Sequence, residues 1–369
     1  MQQAKETVLE IDLNALDHNY KYITSKIKPG TKFMAVVKAY AYGNDSVAIA
    51  KELIDLGADY FAVAYPSEGE ALRDGGIKTP ILVLHPLPIN FELIVNRCLE
   101  PNIYSFRMLE KFIAFAESKN QTAYPIHLKF NTGMNRLGFL EDDIPIIAKM
   151  LSKTNSVTVK SAFSHLAASE DLGESDFTRK QIELFSKSSK KLINALGYSP
   201  ILHCANTSGI LNYPEAHFDM VRSGIGLYGF GNDDEENKHL KPVGTLKTEL
   251  SQIHTVKTGE SVGYNRGFIA EKQTRSATLP IGHADGIPRS LGNGKGWVSV
   301  NGKKASILGN VCMDMIMVDV THIDCKEGDE AIVFGASQSA EVLSAAANSI
   351  SYELITGISQ RVKRVVCRK

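Results

Sequence analysis

Residues 33–43 read Phe-Met-Ala-Val-Val-Lys-Ala-Tyr-Ala-Tyr-Gly, a short apolar run that ends in a lysine. Seven more short apolar runs follow before residue 231, separated by segments with helical periodicity. Alternating short strands and helices predict a parallel α/β sheet, and eight such units favour a closed (β/α)8 barrel of the TIM type. A doubly wound open sheet is the alternative. The predicted strands are 33–38, 60–64, 81–84, 101–104, 125–130, 157–163, 201–204 and 219–222.

The chain changes character on both sides of this region. Residues 8–13 have a strand pattern, and an acidic stretch at 232–237 marks a boundary. Beyond the boundary, short β-type runs alternate with glycine-containing turns, among them the hairpin signal Asn301-Gly302. We therefore predict an N-terminal strand within residues 1–13 that packs on the C-terminal domain, a barrel over residues 14–236, and a mostly-β domain over residues 237–369.

Composition and charge exclude several classes of function. The 369 residues contain 41 Lys plus Arg and 41 Asp plus Glu, so the formal net charge is 41 − 41 = 0. A neutral chain argues against nucleic-acid and polybasic membrane-surface binding. No apolar run approaches the roughly 18 residues of a membrane helix, and the N-terminus lacks a signal-peptide pattern. Five scattered cysteines and the absence of zinc motifs predict a cytoplasmic protein with reduced thiols and no metal.

Polar residues that could take part in catalysis or binding follow the predicted barrel strands, where TIM-barrel sites lie. Lys38 closes the first apolar run, and an ammonium desolvated there has a lowered pKa and a free amine for Schiff-base chemistry. A lysine that snorkels to water is the alternative reading. Arg136 lies in a glycine-bracketed loop after the fifth strand, and His165 ends the sixth.

The loops after strands seven and eight have the residue types of a phosphate site. Residues 205–209 read Ala-Asn-Thr-Ser-Gly, and residues 222–226 read Arg-Ser-Gly-Ile-Gly. Hydroxyls and glycines in this position let backbone N–H groups contact a dianion. A lysine after strand one together with this loop pair indicates a phosphorylated aldehyde cofactor, pyridoxal phosphate, bound to Lys38.

Eight short motifs follow one another along nearly the whole chain. The first is the lysine motif Ala-Val-Val-Lys-Ala-x-Ala-Tyr-Gly, and the longest in the second domain is Leu-Pro-Ile-Gly-x-Ala-Asp-Gly. The motifs lie at residues 35–43, 129–138, 163–165, 222–229, 259–264, 279–286, 311–314 and 352–353. Together they resemble the motifs of the alanine racemases of the fold-type III pyridoxal-phosphate family.

The resemblance implies a role for each matching residue at the cofactor. Lys38 binds the cofactor covalently and acts as one acid/base. Arg222 faces the pyridine nitrogen, His165 orients Arg222, and Arg136 supports the phenolic oxygen and the substrate. Lys129 is a supporting residue at a position that is sometimes carbamylated. The remaining implied cofactor contacts, mostly to the phosphate, are Tyr42, Asn206, Thr207, Gly224, Ile225 and Tyr352.

The resemblance also implies a homodimer with shared active sites. Tyr264 is the second acid/base, and Met313 offers its backbone N–H to the substrate carboxylate, with Asp314 in support. Both Tyr264 and Met313 reach the Lys38 site of the partner subunit. The implied reaction interconverts L-alanine and D-alanine by a two-base mechanism and supplies D-alanine for bacterial peptidoglycan.

Departures from the family pattern keep alternatives open. His283 replaces a tyrosine that shapes substrate access, so a serine-directed or broad-specificity racemase is the nearest alternative. Residues 40–45 read Tyr-Ala-Tyr-Gly-Asn-Asp instead of the usual Asn-Ala-Tyr-Gly-His-Gly. A barrel decarboxylase lacks the sequence contexts of Tyr264 and Met313, and a small cofactor-carrier barrel lacks a second domain of about 130 residues.

Overall fold

The computed structural model describes residues 6–336 and 338–369, so residues 1–5 of the predicted N-terminal segment lie outside the described residues. The described strands are β1 (Val8–Asp12), β2 (Lys32–Val36), β3 (Tyr60–Val63), β4 (Ile81–Val83), β5 (Glu100–Ile103), β6 (Tyr124–Lys129), β7 (Val157–Phe163), β8 (Ile201–His203), β9 (Met220–Ser223), β10 (Gly244–Glu249), β11 (Gln252–Val256), β12 (Ser261–Val262), β13 (Phe268–Ile269), β14 (Thr274–Leu279), β15 (Trp297–Val300), β16 (Lys303–Leu308), β17 (Ile316–Asp319), β18 (Glu330–Phe334) and β19 (Lys363–Cys367).

Most helices follow barrel strands, and two lie near the C-terminus. Asp45 caps α3 by accepting hydrogen bonds from the N–H groups of Val47 and Ala48, and Gly197 ends α8 with a φ of 76°. The helices are α1 (Leu13–Thr24), α2 (Lys38–Gly43), α3 (Ser46–Asp55), α4 (Pro66–Asp74), α5 (Phe91–Asn96), α6 (Phe106–Ser118), α7 (Ile144–Leu151), α8 (Ser175–Leu196), α9 (Thr207–Asn212), α10 (Asp234–Asn237), α11 (Ala340–Ala346) and α12 (Ser351–Thr356). Within the described part of the chain, none of them has the length and apolar character needed to cross a membrane.

Strands β2 to β9 form a parallel 8-stranded sheet in the order β8-β7-β6-β5-β4-β3-β2-β9. Two backbone hydrogen bonds join its two ends: Asp219 donates to the carbonyl of Leu202 at 3.0 Å, and Arg222 donates to the carbonyl of Ala205 at 3.1 Å. The predicted (β/α)8 barrel is therefore confirmed, and the open-sheet alternative is wrong. Large apolar side chains such as Met34, Phe163 and Met220 form a buried cluster separate from the main core under the helices.

The second sheet is mostly antiparallel and has nine strands in the order β11-β14-β17-β16-β15-β18-β10-β1-β19. Strand β1 pairs antiparallel with β10 and parallel with β19, so the chain's first strand lies in the sheet of the second domain. Asn301 and Gly302 have φ values of 49° and 74° between β15 and β16, as a tight hairpin turn requires. The predicted mostly-β C-terminal domain is confirmed, although strands β10, β12, β13 and β19 and helices α11 and α12 were not predicted.

Candidate active site

A cavity of about 600 Å³ opens at the carboxyl ends of the barrel strands. It collects the residues that follow β2, β6, β7, β8 and β9, together with Tyr352 from α12. All the residues that the sequence assigns to the cofactor therefore share one cavity, together with the supporting residue Lys129. Those that line it are Lys38, Tyr42, Lys129, Arg136, His165, Asn206, Thr207, Arg222, Gly224, Ile225 and Tyr352.

Four cationic side chains face this cavity: Lys38, Lys129, Arg136 and Arg222. None of the lining residues that the structure describes carries a carboxylate. Burial lowers the pKa of the Lys38 ammonium, and the charge of Arg136 lowers it further. Burial lowers the pKa of Lys129 to about 8, helped by the neighbouring charges of Arg136 and Arg222. The cavity is thus suited to an anionic ligand and contains amines that lose their protons readily.

The guanidinium of Arg222 is buried and held from several sides. It donates to Nδ1 of His203 at 2.6 Å, to Nδ1 of His165 at 3.3 Å, and to the carbonyls of Ser164 and Cys204 at 2.7 and 3.1 Å. Because Arg222 has no lone pair to offer, both imidazole nitrogens must act as acceptors. Burial and the charge of Arg222 hold the pKa of His203 and of His165 well below the usual range.

Arg222 itself stays charged at neutral pH. Burial lowers the pKa of its guanidinium to about 10, which still leaves it protonated near pH 7. His165, which the sequence assigns to orienting Arg222, makes the longer of the two imidazole contacts, and His203 makes the shorter one. No role was predicted for His203, although it lies in the motif that ends the seventh barrel strand.

One end of the cavity is lined by hydroxyl groups and by Gly224. A Cβ atom on Gly224 would stand 2.3 Å from the hydroxyl oxygen of Tyr42, so this close approach requires glycine. Burial raises the pKa of Tyr42, and burial raises the pKa of Tyr352 to about 12. Both phenols therefore keep their protons and are donors for an anion. The hydroxyl of Thr207 lies 3.0 Å from that of Ser223 at the same end.

Asn206 lines the cavity, but its side-chain oxygen already has two donors. It accepts hydrogen bonds from the hydroxyl of Ser169 at 2.8 Å and from the N–H of Gly209 at 2.8 Å. These contacts cap α9 and connect it to the loop after β7. In this geometry Asn206 positions the loop that contains Thr207.

Helix α2 is a single left-handed turn that directly follows Lys38. Ala39, Tyr40, Ala41 and Tyr42 have φ values of 52°, 56°, 54° and 56°. For residues with a Cβ atom this conformation costs roughly 1–2 kcal/mol each. The turn places Tyr42 against Tyr228, with ring centroids 4.7 Å apart. The backbone beside Lys38 is therefore strained and must be stabilised by its surroundings.

We predict that Tyr40→Gly stabilises the protein. Tyr40 is exposed and has a φ of 56°, so glycine removes a steric penalty without opening a cavity in the core. The expected gain in the free energy of unfolding is about 1 kcal/mol, measured by urea denaturation. Tyr65→Gly is the matched control, because Tyr65 is also exposed but has a φ of −123°. If Tyr40→Gly and Tyr65→Gly destabilised the protein to the same extent, the backbone at Tyr40 would not be strained.

Lys129 gives a pH-dependent prediction. A lysine whose pKa falls from 10.5 to about 8 on folding destabilises the fold below pH 8, and this effect disappears as the pH rises to 10.5. We therefore expect the cofactor-free wild type to gain about 3 kcal/mol of unfolding free energy relative to Lys129→Met between pH 8 and pH 10.5. Chemical denaturation of both proteins across this range measures the difference. A constant difference would show that Lys129 is not desolvated.

Tyr264, Met313 and Asp314 do not line the Lys38 cavity. They lie around a separate surface concavity of about 450 Å³ in the second domain, together with Gly263, Cys312, Met315 and Met317. Tyr264 is 75% exposed and Met313 is 59% exposed. Within a single chain, the predicted cofactor residues therefore share one cavity, whereas Tyr264, the predicted second acid/base, lies outside it.

The loop at Met313 is held by a neighbouring turn and an arginine. The N–H groups of His283 and Ala284 donate to the carbonyls of Cys312 and Met313, both at 2.9 Å. Arg361 donates to Asp314 at 2.7 Å and also binds Asp285. His283 is exposed beside this loop and does not line the Lys38 cavity.

Sequence reasoning missed part of the cavity wall. Tyr65 and His85 line the cavity just after β3 and β4, and their rings contact each other at 6.2 Å between centroids. His85 also stacks on Tyr104, which follows β5, at 5.8 Å. The rule that functional residues follow barrel strands could have identified Tyr65 and His85, because the strands before them were predicted.

Comparison with known proteins identifies the family. Residues 11–231 match the family model for the alanine racemase N-terminal domain, and residues 243–366 match that for the alanine racemase C-terminal domain. An alanine racemase from Desulforamulus reducens is 36% identical over 365 residues, which cover 96% of this chain and 97% of the relative.

Solved structures agree with the sequence comparisons. The crystal structure of alanine racemase from the D-cycloserine-producing Streptomyces lavendulae aligns with a TM-score of 0.93 and 31% identity, covering 100% of this chain and 98% of that one. Alanine racemase from Bartonella henselae, solved with covalently bound pyridoxal phosphate, aligns with a TM-score of 0.89 and 31% identity, covering 98% and 99%. With both domains matched along their length, the chain belongs to the alanine racemase family of enzymes.

Proposed function

We propose that this protein interconverts L-alanine and D-alanine by a two-base mechanism, with pyridoxal phosphate held on Lys38 and with Tyr264 of a partner copy as the second acid/base. The observation that carries the proposal is the cavity at the barrel mouth. It combines a lysine of lowered pKa with three further cations and a hydroxyl-lined end, and no described lining residue is acidic. In a bacterial cytoplasm, this reaction supplies D-alanine for peptidoglycan.

The residues of the cavity fit pyridoxal phosphate. At the hydroxyl-lined end, Tyr42, Thr207 and Tyr352, with the backbone of Gly224 and Ile225, would hold the phosphate. The buried guanidinium of Arg222 would face the ring nitrogen, and Lys38 would hold the aldehyde carbon. When bound, the cofactor withdraws electrons from the substrate's α-carbon and so makes its proton removable at neutral pH.

Lys38 accepts and returns the proton on one face of the α-carbon. Its lowered pKa places more of the amine in the neutral, basic form than an exposed lysine would have. Arg222 donates hydrogen bonds but keeps its own protons at neutral pH, because its pKa remains near 10. A ring nitrogen opposite Arg222 is therefore not protonated by it, which limits competing reactions such as transamination.

Tyr264 handles the proton on the other face, and we propose that it does so in a homodimer. Its phenol is 75% exposed on the second domain, away from the Lys38 cavity of its own chain, so a partner copy must bring it to the cofactor. Met313 lies beside it and would donate its backbone N–H to the substrate carboxylate. Asp314, fixed by Arg361, supports this loop.

A serine-directed or broad-specificity racemase is the second candidate. The exposed His283 stands where the family has a tyrosine that shapes substrate access, and its backbone holds the loop at Cys312. A change of ring at this point alters the polarity of the entrance without changing the acid/base pair.

A racemisation assay tests the proposed function. The purified protein, loaded with pyridoxal phosphate, is incubated with a panel of L- and D-amino acids that includes alanine and serine, and chiral chromatography follows both enantiomers. We expect the highest kcat/KM for alanine in both directions. A higher kcat/KM for serine would identify serine as the preferred substrate. If the loaded protein racemised none of the amino acids, the proposal would be overturned.

A further inference from the structure

The left-handed turn after Lys38 is held at its C-terminal end by two side chains. Asn44 donates to the carbonyls of Ala41 and Tyr42 at 2.8 and 3.4 Å. Arg364 donates to the carbonyl of Gly43 at 2.9 and 3.3 Å. Both contacts are made to residues 41–43, the part of the turn farther along the chain from Lys38, so they do not fix the end that carries the amine.

Glu68, on α4, binds the end of the turn next to Lys38. Its Oε1 accepts a hydrogen bond from the N–H of Ala39 at 2.6 Å. Its Oε2 accepts from the N–H groups of Ala64 and Tyr65 at 2.7 and 3.1 Å. One carboxylate therefore connects the carboxyl ends of β2 and β3 with three charge-assisted hydrogen bonds to backbone. Glu68 has no role in the proposed mechanism and was not predicted as a site residue.

The negative charge of Glu68 also acts on Lys38. Burial and Arg136 lower the pKa of the Lys38 ammonium, and the carboxylate of Glu68 opposes that shift. Glu68 thus influences Lys38 in two ways, through the backbone of the next residue and through its charge.

We propose that Glu68 is a positioning residue for Lys38: by binding the N–H of Ala39, it maintains the strained left-handed turn and so aims the Lys38 amine into the cavity. The inference rests on the proposed role of Lys38. Glutamine is an informative replacement because it keeps the shape but exchanges one acceptor oxygen for a donor. With two N–H groups on the Oε2 side, the amide oxygen favours Ala64 and Tyr65, and the amide nitrogen then faces the N–H of Ala39.

The test begins with amide hydrogen exchange of the cofactor-free protein. In Glu68→Gln we expect exchange at residues 39–43 to accelerate by at least about 10-fold, since a hydrogen bond to a charged acceptor is lost. Glu70→Gln is the matched control, because Glu70 lies on the same helix but pairs with Arg97 at 2.9 Å. It should leave residues 39–43 unchanged. Faster exchange only within α4 in Glu68→Gln would show that Glu68 merely supports its own helix and would overturn the proposal.

A rescue experiment separates positioning from general stability. Glycine accepts a positive φ without a steric penalty, so adding Tyr40→Gly to Glu68→Gln should return exchange at residues 39–43 to within about threefold of the wild type. The rate at which the cofactor-free protein captures pyridoxal phosphate covalently at Lys38 should fall about 10-fold in Glu68→Gln and recover in the double variant. An unchanged capture rate in Glu68→Gln, or no rescue of exchange and capture by Tyr40→Gly, would contradict the proposal.

A second variant and readouts that do not depend on racemisation keep the test decisive. Should Glu68→Gln fail to fold, Glu68→Asp withdraws the carboxylate by one methylene while keeping its charge, and the same acceleration and slower capture are expected. Wild-type exchange rates in that variant would overturn the proposal. Exchange and capture are measured without racemisation, so a negative racemase assay would refute the proposed function while leaving the role of Glu68 to be decided by these two rates.

Discussion

Lys38→Ala is expected to abolish racemisation, with a loss of more than about 10⁴-fold in kcat/KM. One general acid/base typically contributes about 10²–10⁴-fold, and Lys38 is proposed to hold the cofactor as well. Borohydride treatment of the loaded wild type, followed by peptide mapping, should locate pyridoxal phosphate on the peptide that contains Lys38. The variant should carry no such adduct.

A matched control and a competing lysine make this result interpretable. Lys160→Ala removes an exposed lysine from β7 and should leave both the adduct and the activity unchanged. Lys129 lies in the same cavity with a pKa near 8, so it is the amine that would compete for the cofactor. An adduct mapped to Lys129 in the wild type would show that Lys38 is not the cofactor lysine.

Tyr264→Phe is expected to lower racemisation by about 10²–10⁴-fold while leaving substrate binding nearly unchanged. Phenylalanine keeps the ring and removes only the hydroxyl. Because Tyr264 is exposed, the substitution should not affect the folding of a single chain. A catalyst cannot change the equilibrium between two enantiomers, so both directions must fall equally.

The asymmetry of this variant should appear in α-proton exchange with deuterated solvent. From the family resemblance we expect Lys38 to face the α-proton of D-alanine and Tyr264 that of L-alanine. In Tyr264→Phe, D-alanine should still exchange through Lys38 and keep its configuration, whereas L-alanine should scarcely exchange. Equal exchange of both enantiomers, measured by NMR, would show that Tyr264 is not the second base.

Local sequence pattern was sufficient to predict the barrel and much of the cavity. The barrel strands are short apolar runs bounded by polar turns, and residues at their carboxyl ends must converge at one mouth. That rule predicted the placement of Lys38, Arg136 and Arg222 without a structure. The hairpin at Asn301-Gly302 was equally local, because two residues determine its turn type.

The features that were not predicted depend on partners distant in the chain. The N-terminal strand was predicted to pack on the second domain, but its pairing with β19 across more than 350 residues was not, because no local pattern indicates which strand is its neighbour. In the sequence, Glu68 is an ordinary acidic residue in the first turn of α4. Its hydrogen bond from the N–H of Ala39 is visible only in the structure. The strain at residues 39–42 could not be predicted either, because a positive φ is expected mainly at glycine and asparagine, whereas these residues are alanine and tyrosine.

Subunit complementation tests the central claim, a site shared between two copies, most directly. Lys38→Ala and Tyr264→Phe chains are mixed in equal amounts under conditions that allow subunits to exchange, and racemisation is then measured. Random pairing makes about half of the dimers mixed, and each mixed dimer has one intact site out of two. We therefore expect recovery of about a quarter of the wild-type activity. No recovery after subunit exchange has been demonstrated by mass spectrometry would contradict a shared site.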